Sequence, residues 1–98
     1  MAEIRFEWDE RKDAENQRKH RVSFHEAETV FVDEHALLID DPDHSATEDR
    51  FVLVGLSVRF RVLLVVHAYH EGDSVIRIIS ARKADRSERT LYSKGLSP

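Results

Sequence analysis

The spacing of apolar and polar positions changes period along the chain, and each change marks an element. Ile4, Phe6 and Trp8 alternate with Arg5 and Glu7, the period of two expected of a half-buried strand. Asp9 then stands where a helix running to about His20 would be capped. Ala14 is the only apolar residue of that helix, so it either packs lightly or buries polar residues such as Asn16. Ser23 and Glu26 have the spacing of a capping box. Phe24, Ala27 and Phe31 follow at helical spacing with Val30 beside them, predicting a second short helix to about Val32. Two helices joined by two or three residues form an antiparallel hairpin.

The rest of the chain reads mostly as strand. Ala36-Leu37-Leu38-Ile39 is a short apolar centre within His35 to Asp40, and Asp40 to Ser45 is turn-rich. Arg50 to Val58 and Arg61 to about His70 are long strands separated by Arg59 and Phe60, a tight antiparallel hairpin. Phe60 is a poor residue for a primed turn, so a bulged or longer turn is expected there. Glu71-Gly72-Asp73-Ser74 makes a second turn into a strand from Val75 to Ala81. Asp85 or Ser87 can cap a last helix carrying Glu88, Leu91 and Tyr92, with Gly95 suited to its end. The order β-α-α-β-β-β-β-α predicts one α+β domain over residues 1–98, with a mainly antiparallel sheet.

Alternation sorts the strand residues into faces. Val62, Leu64, Val66 and Ala68 form the face expected under the helical hairpin, with the last helix at an edge or end of the sheet. Arg61, Leu63, Val65, His67 and Tyr69 point the other way. On the last strand Val75, Arg77, Ile79 and Ala81 share one side, and Ile76, Ile78 and Ser80 the other. If the polar-bearing faces coincide, Arg50, Arg61, His67 and Arg77 occupy one open sheet surface.

Charge adds a polarity to this picture. Net charge is −4, yet residues 1–58 hold 7 Lys/Arg against 15 Asp/Glu, and residues 59–98 hold 8 against 4. The first part suits a basic partner and the second an anion. Overall acidity argues against tight non-specific nucleic-acid binding. The absence of cysteine excludes disulfides and thiolate chemistry. No apolar run approaches the roughly 20 residues of a membrane span, and Met-Ala-Glu-Ile-Arg is no signal peptide, so a cytoplasmic protein is expected.

The candidate chemistry lies between Arg77 and Arg89, where four arginines and a lysine gather. An arginine in mid-strand costs desolvation unless an anion or carboxylate meets it; a salt bridge from Arg77 to Glu48 or Asp49 is the purely structural alternative. Arginines can hold a phosphate bidentately, and a histidine or carboxylate can exchange a proton near neutral pH. Those are the parts for RNA cleavage without metal, an RNA 2′-hydroxyl attacking its adjacent phosphate. The basic end of the first helix (Arg18, Lys19, His20, Arg21) either complements the helix dipole or contributes to an anion site. Asp33 to Asp49 holds seven acids with His44 among them, but lacks the glycine and closing glutamate of a calcium loop and reads as an exposed acidic loop. His67 and His70 fall on opposite sides of their strand, which disfavours a shared metal. No cofactor is expected.

Several motifs in order resemble one family. They are Phe6-Glu7-Trp8-Asp9, Lys12, Asn16-x-x-Lys19-His20, Val22-Ser23-Phe24-x-Glu26-Ala27, Asp43-His44, Glu48-x-Arg50, Gly55-x-Ser57, Arg77-Ile78-Ile79-Ser80-Ala81-Arg82, Glu88-Arg89 and Tyr92. Together they resemble the BrnT family of bacterial type II toxins, from about Phe6 to Tyr92. The resemblance implies a RelE-like fold, a ribonuclease that blocks translation, and a BrnA antitoxin with a ribbon-helix-helix DNA-binding domain. Such pairs typically repress their own operon, the toxin meeting DNA only through its antitoxin. Carried onto this sequence, it makes Glu48, Arg50, Arg77 and Arg82 candidate catalytic residues, with His67 beside them. Lys19, Arg61 and Lys83 are candidate RNA-binding residues. The chain departs from the family pattern at Phe60, where relatives tend to have glycine, and in its acidity. The alternative reading is a non-catalytic toxin relative that serves as co-repressor of a DNA-binding antitoxin.

Overall fold

The computed structural model describes residues 3–40, 49–72 and 74–96. Its elements are β1 (Arg5–Glu7), α1 (Glu10–His20), α2 (Phe24–Thr29), a 3-10 turn (Val30–Val32), β2 (Leu37–Asp40), β3 (Phe51–Leu56), β4 (Val62–His70), β5 (Val75–Lys83) and α3 (Arg86–Leu96). The expected order of elements is present. The strands form one five-stranded sheet in the order β1-β5-β4-β3-β2. It is mixed, because β1 runs parallel to β5 while the other pairs are antiparallel. The acidic loop at 41–48, Glu48 included, and Asp73 of the second turn lie outside the described residues.

The helices lie on opposite faces. On the front face Val22, Phe24, Ala27 and Val30 of the helical hairpin pack on Leu53, Leu63, Val65, Ile78 and Ala81. On the back face Tyr92 of α3 packs on Val52, Val54 and Leu64. Two expectations are corrected here. The residues under the hairpin are Leu63 and Val65, not Val62, Leu64, Val66 and Ala68, and α3 covers part of the second face instead of sitting at an edge. Both β4 parities are apolar because both faces are covered, so alternation could not decide between them. Gly95 lies within the last turn of α3, not beyond it.

Polar bonds dock α1, which explains its lack of apolar residues. Its buried residues are Asp13 and Asn16. The Asn16 amide donates to Val22 O (2.8 Å) and Ala81 O (2.7 Å) and accepts from Ala81 N (3.1 Å). Asp13 Oδ1 accepts from Phe24 N at 2.9 Å, tying α1 to the start of α2. Half of the expected capping box is present at that start: Ser23 Oγ accepts from Glu26 N at 3.1 Å. The Glu26 carboxylate does not reach back. It is buried and bonds Ser57 Oγ at 2.7 Å and Arg61 Nε at 3.0 Å, with Arg61 Nη2 on its other oxygen. Gly55 admits the close approach of this layer, since a Cβ there would stand 2.8 Å from Ala36 Cβ and 2.9 Å from Val30 Cγ1.

The β3–β4 turn is bulged, as its sequence predicts. Ser57 N donates to Arg61 O and Phe60 N to Ser57 O, with Phe60 at φ 62° and 84% exposed. A side chain in this left-handed position costs about 1 kcal/mol that glycine avoids. Phe60→Gly is therefore expected to raise stability by about 0.5–1 kcal/mol, a rise of a few degrees in melting temperature. An unchanged or lower melting temperature in a thermal scan would show that the exposed ring contributes to the fold.

Candidate active site

The site is organised by an irregularity in β5. Val66 of β4 pairs with Ser80, but the next residue, His67, pairs with Ile78. Ile79 is thus an extra residue, a β-bulge. Before it, Ile76 and Ile78 face front and Arg77 faces back. After it the parity is reversed, so Ala81 faces front, while Ser80 and Arg82 face back opposite Val66 and Leu64. The bulge therefore brings Arg77 and Arg82 to one face, which strict alternation would have separated.

Across the back face the strands set Glu7 opposite Arg77, and Arg77 opposite Ala68. Phe51 pairs with His67, so continuing the β3 alternation by one residue puts Arg50 in the same row, beyond Ala68. The small Ala68 leaves the two arginines flanking a gap of about two strand spacings, roughly 10 Å. Arg50 Nε is buried and has no hydrogen-bond partner among the described residues. Arg77 Nη1 donates to Glu7 Oε2 at 2.9 Å, with both side chains partly exposed. The carboxylate that meets this mid-strand arginine is therefore Glu7, on neighbouring β1. It takes the place that the sequence offered to Glu48 or Asp49, of which Glu48 is among the residues not described.

Arg82 lies at the N-terminus of α3. It donates to both oxygens of Glu88, at 2.8 and 2.9 Å. Asp85 is the helix cap, accepting from Glu88 N at 2.8 Å, while Glu88 Oε1 accepts from Asp85 N at 2.8 Å. The hydrogen bonds from Arg82 hold the Glu88 carboxyl below its ordinary range, and Glu88 in turn raises Arg82.

Two placements expected from the alternation pattern change, those of His67 and Arg61. His67 is completely buried on the front face, among Phe31, Phe51 and Tyr69. Its Nε2 lies 3.3 Å from Tyr69 Oη, and burial pushes its pKa down, favouring the neutral ring. It does not share a surface with Arg77. Arg61 also faces front, held by Glu26 and donating to Arg21 O at 3.1 Å. Lys83 pairs with Leu63 and so points away from Arg82, and Lys19 is exposed on the last turn of α1. Sequence reasoning missed Glu7 and His70 as members of the back face. The signal available was their alternation with the front-facing Phe6 and Tyr69, hidden by the wrong assignment of faces.

A separate groove of about 460 Å³ lies between α2, the 3-10 turn and β3. Phe6, Val32, Leu56 and Val58 are among its walls, and none of the candidate site residues is. No helix among the described residues is long and apolar enough to cross a membrane.

A family model described as the ribonuclease toxin BrnT of type II toxin-antitoxin systems matches residues 8–88. The chain belongs to the BrnT toxin family. The match runs from the residue after β1 to the first turn of α3 and so includes Arg50, Arg77, Arg82 and Glu88. Membership makes it the toxin type of a type II toxin-antitoxin system, a ribonuclease family, and implies an antitoxin partner. Among solved structures, the crystal structure of the Brucella abortus ribonuclease toxin BrnT is similar, with a TM-score of 0.64 and 24% identity. The alignment covers 85% of this chain and 99% of that one, and it supports the shared fold. No curated protein matches.

Proposed function

We propose that this BrnT-family chain is a metal-independent endoribonuclease, RelE-like in architecture, whose back-face arginines hold the scissile phosphate of RNA. The observation that supports this reading is the shared face of Arg77 and Arg82, with Arg50 in the row beyond Ala68. Guanidinium groups match phosphate oxygens bidentately and offset charge that builds on phosphorus during attack by the 2′-hydroxyl. Glu7 and Glu88 occupy these arginines in the free protein, so RNA enters by displacing carboxylates that are partly exposed. Glu48, outside the described residues, keeps its proposed role of moving the proton.

A BrnA-like ribbon-helix-helix antitoxin is the proposed partner. Acidic side chains of such a partner can take the place of RNA phosphates on Arg77 and Arg82. The two proteins together would repress their operon in the cytoplasm, with DNA contacted through the antitoxin.

Arg77→Ala is expected to lower RNA cleavage by about 10²–10³-fold, the usual effect of removing one donor to a developing anion. Stability should change by about 1 kcal/mol or less, because the Glu7–Arg77 pair is solvent-exposed in part. A folded Arg77→Ala variant that cleaves RNA and arrests growth like the unaltered protein would overturn the site. The alternative, a non-catalytic co-repressor, is favoured by one observation: Arg82 is already held on both carboxylate oxygens of Glu88. It predicts an unaltered protein that binds the antitoxin and represses, yet leaves RNA intact.

A further inference from the structure

The groove between α2, the 3-10 turn and β3 lies apart from every candidate site residue. Two of its apolar walls, Val32 and Val58, are 82% and 67% exposed, and neither belongs to the front core. Apolar side chains gathered in water around a concavity mark an interaction site, whereas single scattered ones do not. Among the described residues the charged walls are Glu28 and Asp33, both acidic. Asp33 is committed to the fold, its Oδ2 accepting from Leu56 N at 2.8 Å and from Tyr92 Oη at 2.7 Å. Glu28 is partly exposed and has no ion pair among the described residues. Glu34, which follows Asp33, is exposed. The nearest cation along the chain, Arg59, is not a wall, and its charge acts on the buried Glu26. The rim is therefore negative around an apolar floor.

The backbone at this end of β3 narrows the kind of occupant. Val58 N donates to Thr29 Oγ1 at 3.0 Å, Leu56 N to Asp33, and Ser57 N to Arg61 O at 2.8 Å. An extended segment would find none of these three N–H groups open to a new ladder. A helix satisfies its own backbone and docks by side chains alone. We infer that this groove seats an amphipathic helix of the antitoxin, its apolar side on Val32 and Val58 and a lysine or arginine against Glu28. The inference rests on the antitoxin partner named above and is independent of the chemistry on the back face. It adds a second contact to the acidic one on Arg77 and Arg82, of opposite charge and on a different surface. A partner held at both would be steered in one orientation, because each of its charges is repelled by the other surface.

The test titrates the purified antitoxin, the product of the neighbouring gene, onto the full chain and reads binding, so it does not depend on RNA cleavage. Val58→Glu should weaken binding about 10-fold or more with an unchanged melting temperature, since the side chain it replaces is exposed. Glu28→Gln should slow association and flatten its dependence on salt. A photo-crosslinker at position 58 should capture an antitoxin peptide with apolar residues at helical spacing and a lysine or arginine among them. Unaltered binding by Val58→Glu, tighter binding by Glu28→Gln, or a captured peptide without basic residues would overturn the inference while the antitoxin partnership stands. A self-associated chain that Val58→Glu turns into a monomer would give the groove to a second copy and overturn it too. Failure of the unaltered chain to bind the antitoxin would remove the partnership and the inference together. Should Val58→Glu fail to fold, Val32→Ser with the same readouts decides the matter.

Discussion

Asn16→Ala is expected to destabilise the fold by about 3–5 kcal/mol, a large loss for one polar residue on a helix. The side chain is buried and makes three bonds, two to carbonyls of Val22 and Ala81 and one from the Ala81 amide. Truncation leaves all three backbone groups without their partner, each costing about 1–3 kcal/mol and adding incompletely. Little apolar burial on α1 can offset this, since its buried residues are Asp13 and Asn16. Asn16→Asp tests the cause. An aspartate keeps an acceptor for the Ala81 amide but cannot donate to either carbonyl, so it should also destabilise. Urea unfolding of the two variants measures this; a loss below about 1 kcal/mol in both would mean that α1 is docked by something else.

The second large effect is expected at Glu26. Its carboxylate receives Ser57 and Arg61, binding α2 to the β3–β4 turn. Removing one partner of a buried ion pair leaves the other uncompensated, so Glu26→Ala should cost about 3 kcal/mol. Arg61 is partly exposed and can recover some hydration, which keeps the figure at the low end. The pair also sets an acid response. Burial by itself would raise the Glu26 carboxyl, but the hydrogen bonds from Arg61 and Ser57 outweigh it and hold it below the ordinary 4.5. Its contribution is complete above that ordinary value and disappears as pH falls through the lower folded-state value. Asp33 behaves in the same direction: burial would raise it, but bonds from Leu56 N and Tyr92 Oη outweigh that. Melting temperature should therefore fall in acid, and fall less steeply for Glu26→Ala. Parallel acid slopes for the two proteins would remove Glu26 as a contributor.

The order of elements was legible because periodicity and caps are local. Asp9 and Ser23 cap α1 and α2, and the turn at Phe60 is bulged, each as its own neighbourhood predicts. Which face each strand turns to the hairpin was not legible, because Leu63, Leu64 and Val65 are all buried. A strand covered on both sides carries no alternation to read. For the site, Arg77 stood out as a charge within an apolar run, yet its carboxylate is Glu7, 70 residues away along the chain and reached through the parallel β1–β5 pairing. Glu26 looked like a cap residue by its spacing, but its carboxylate goes to Arg61, a partner outside any local motif. Local rules assign a residue its nearest possible role, whereas tertiary packing here supplied a stronger partner.

Ile79 gives the segment from Arg77 to Arg82 a meaning in length as well as in composition. In a regular strand, residues five apart point oppositely, and it is one unpaired residue that turns this odd separation into a shared face. A deletion of Ile79 would leave every arginine, serine and glutamate of the site in the chain, yet one of the two arginines would have to turn into the core. An insertion beside it would have the same consequence. Related chains are thus best aligned here by residue count between the two arginines, since the spacing itself is part of what specifies the site.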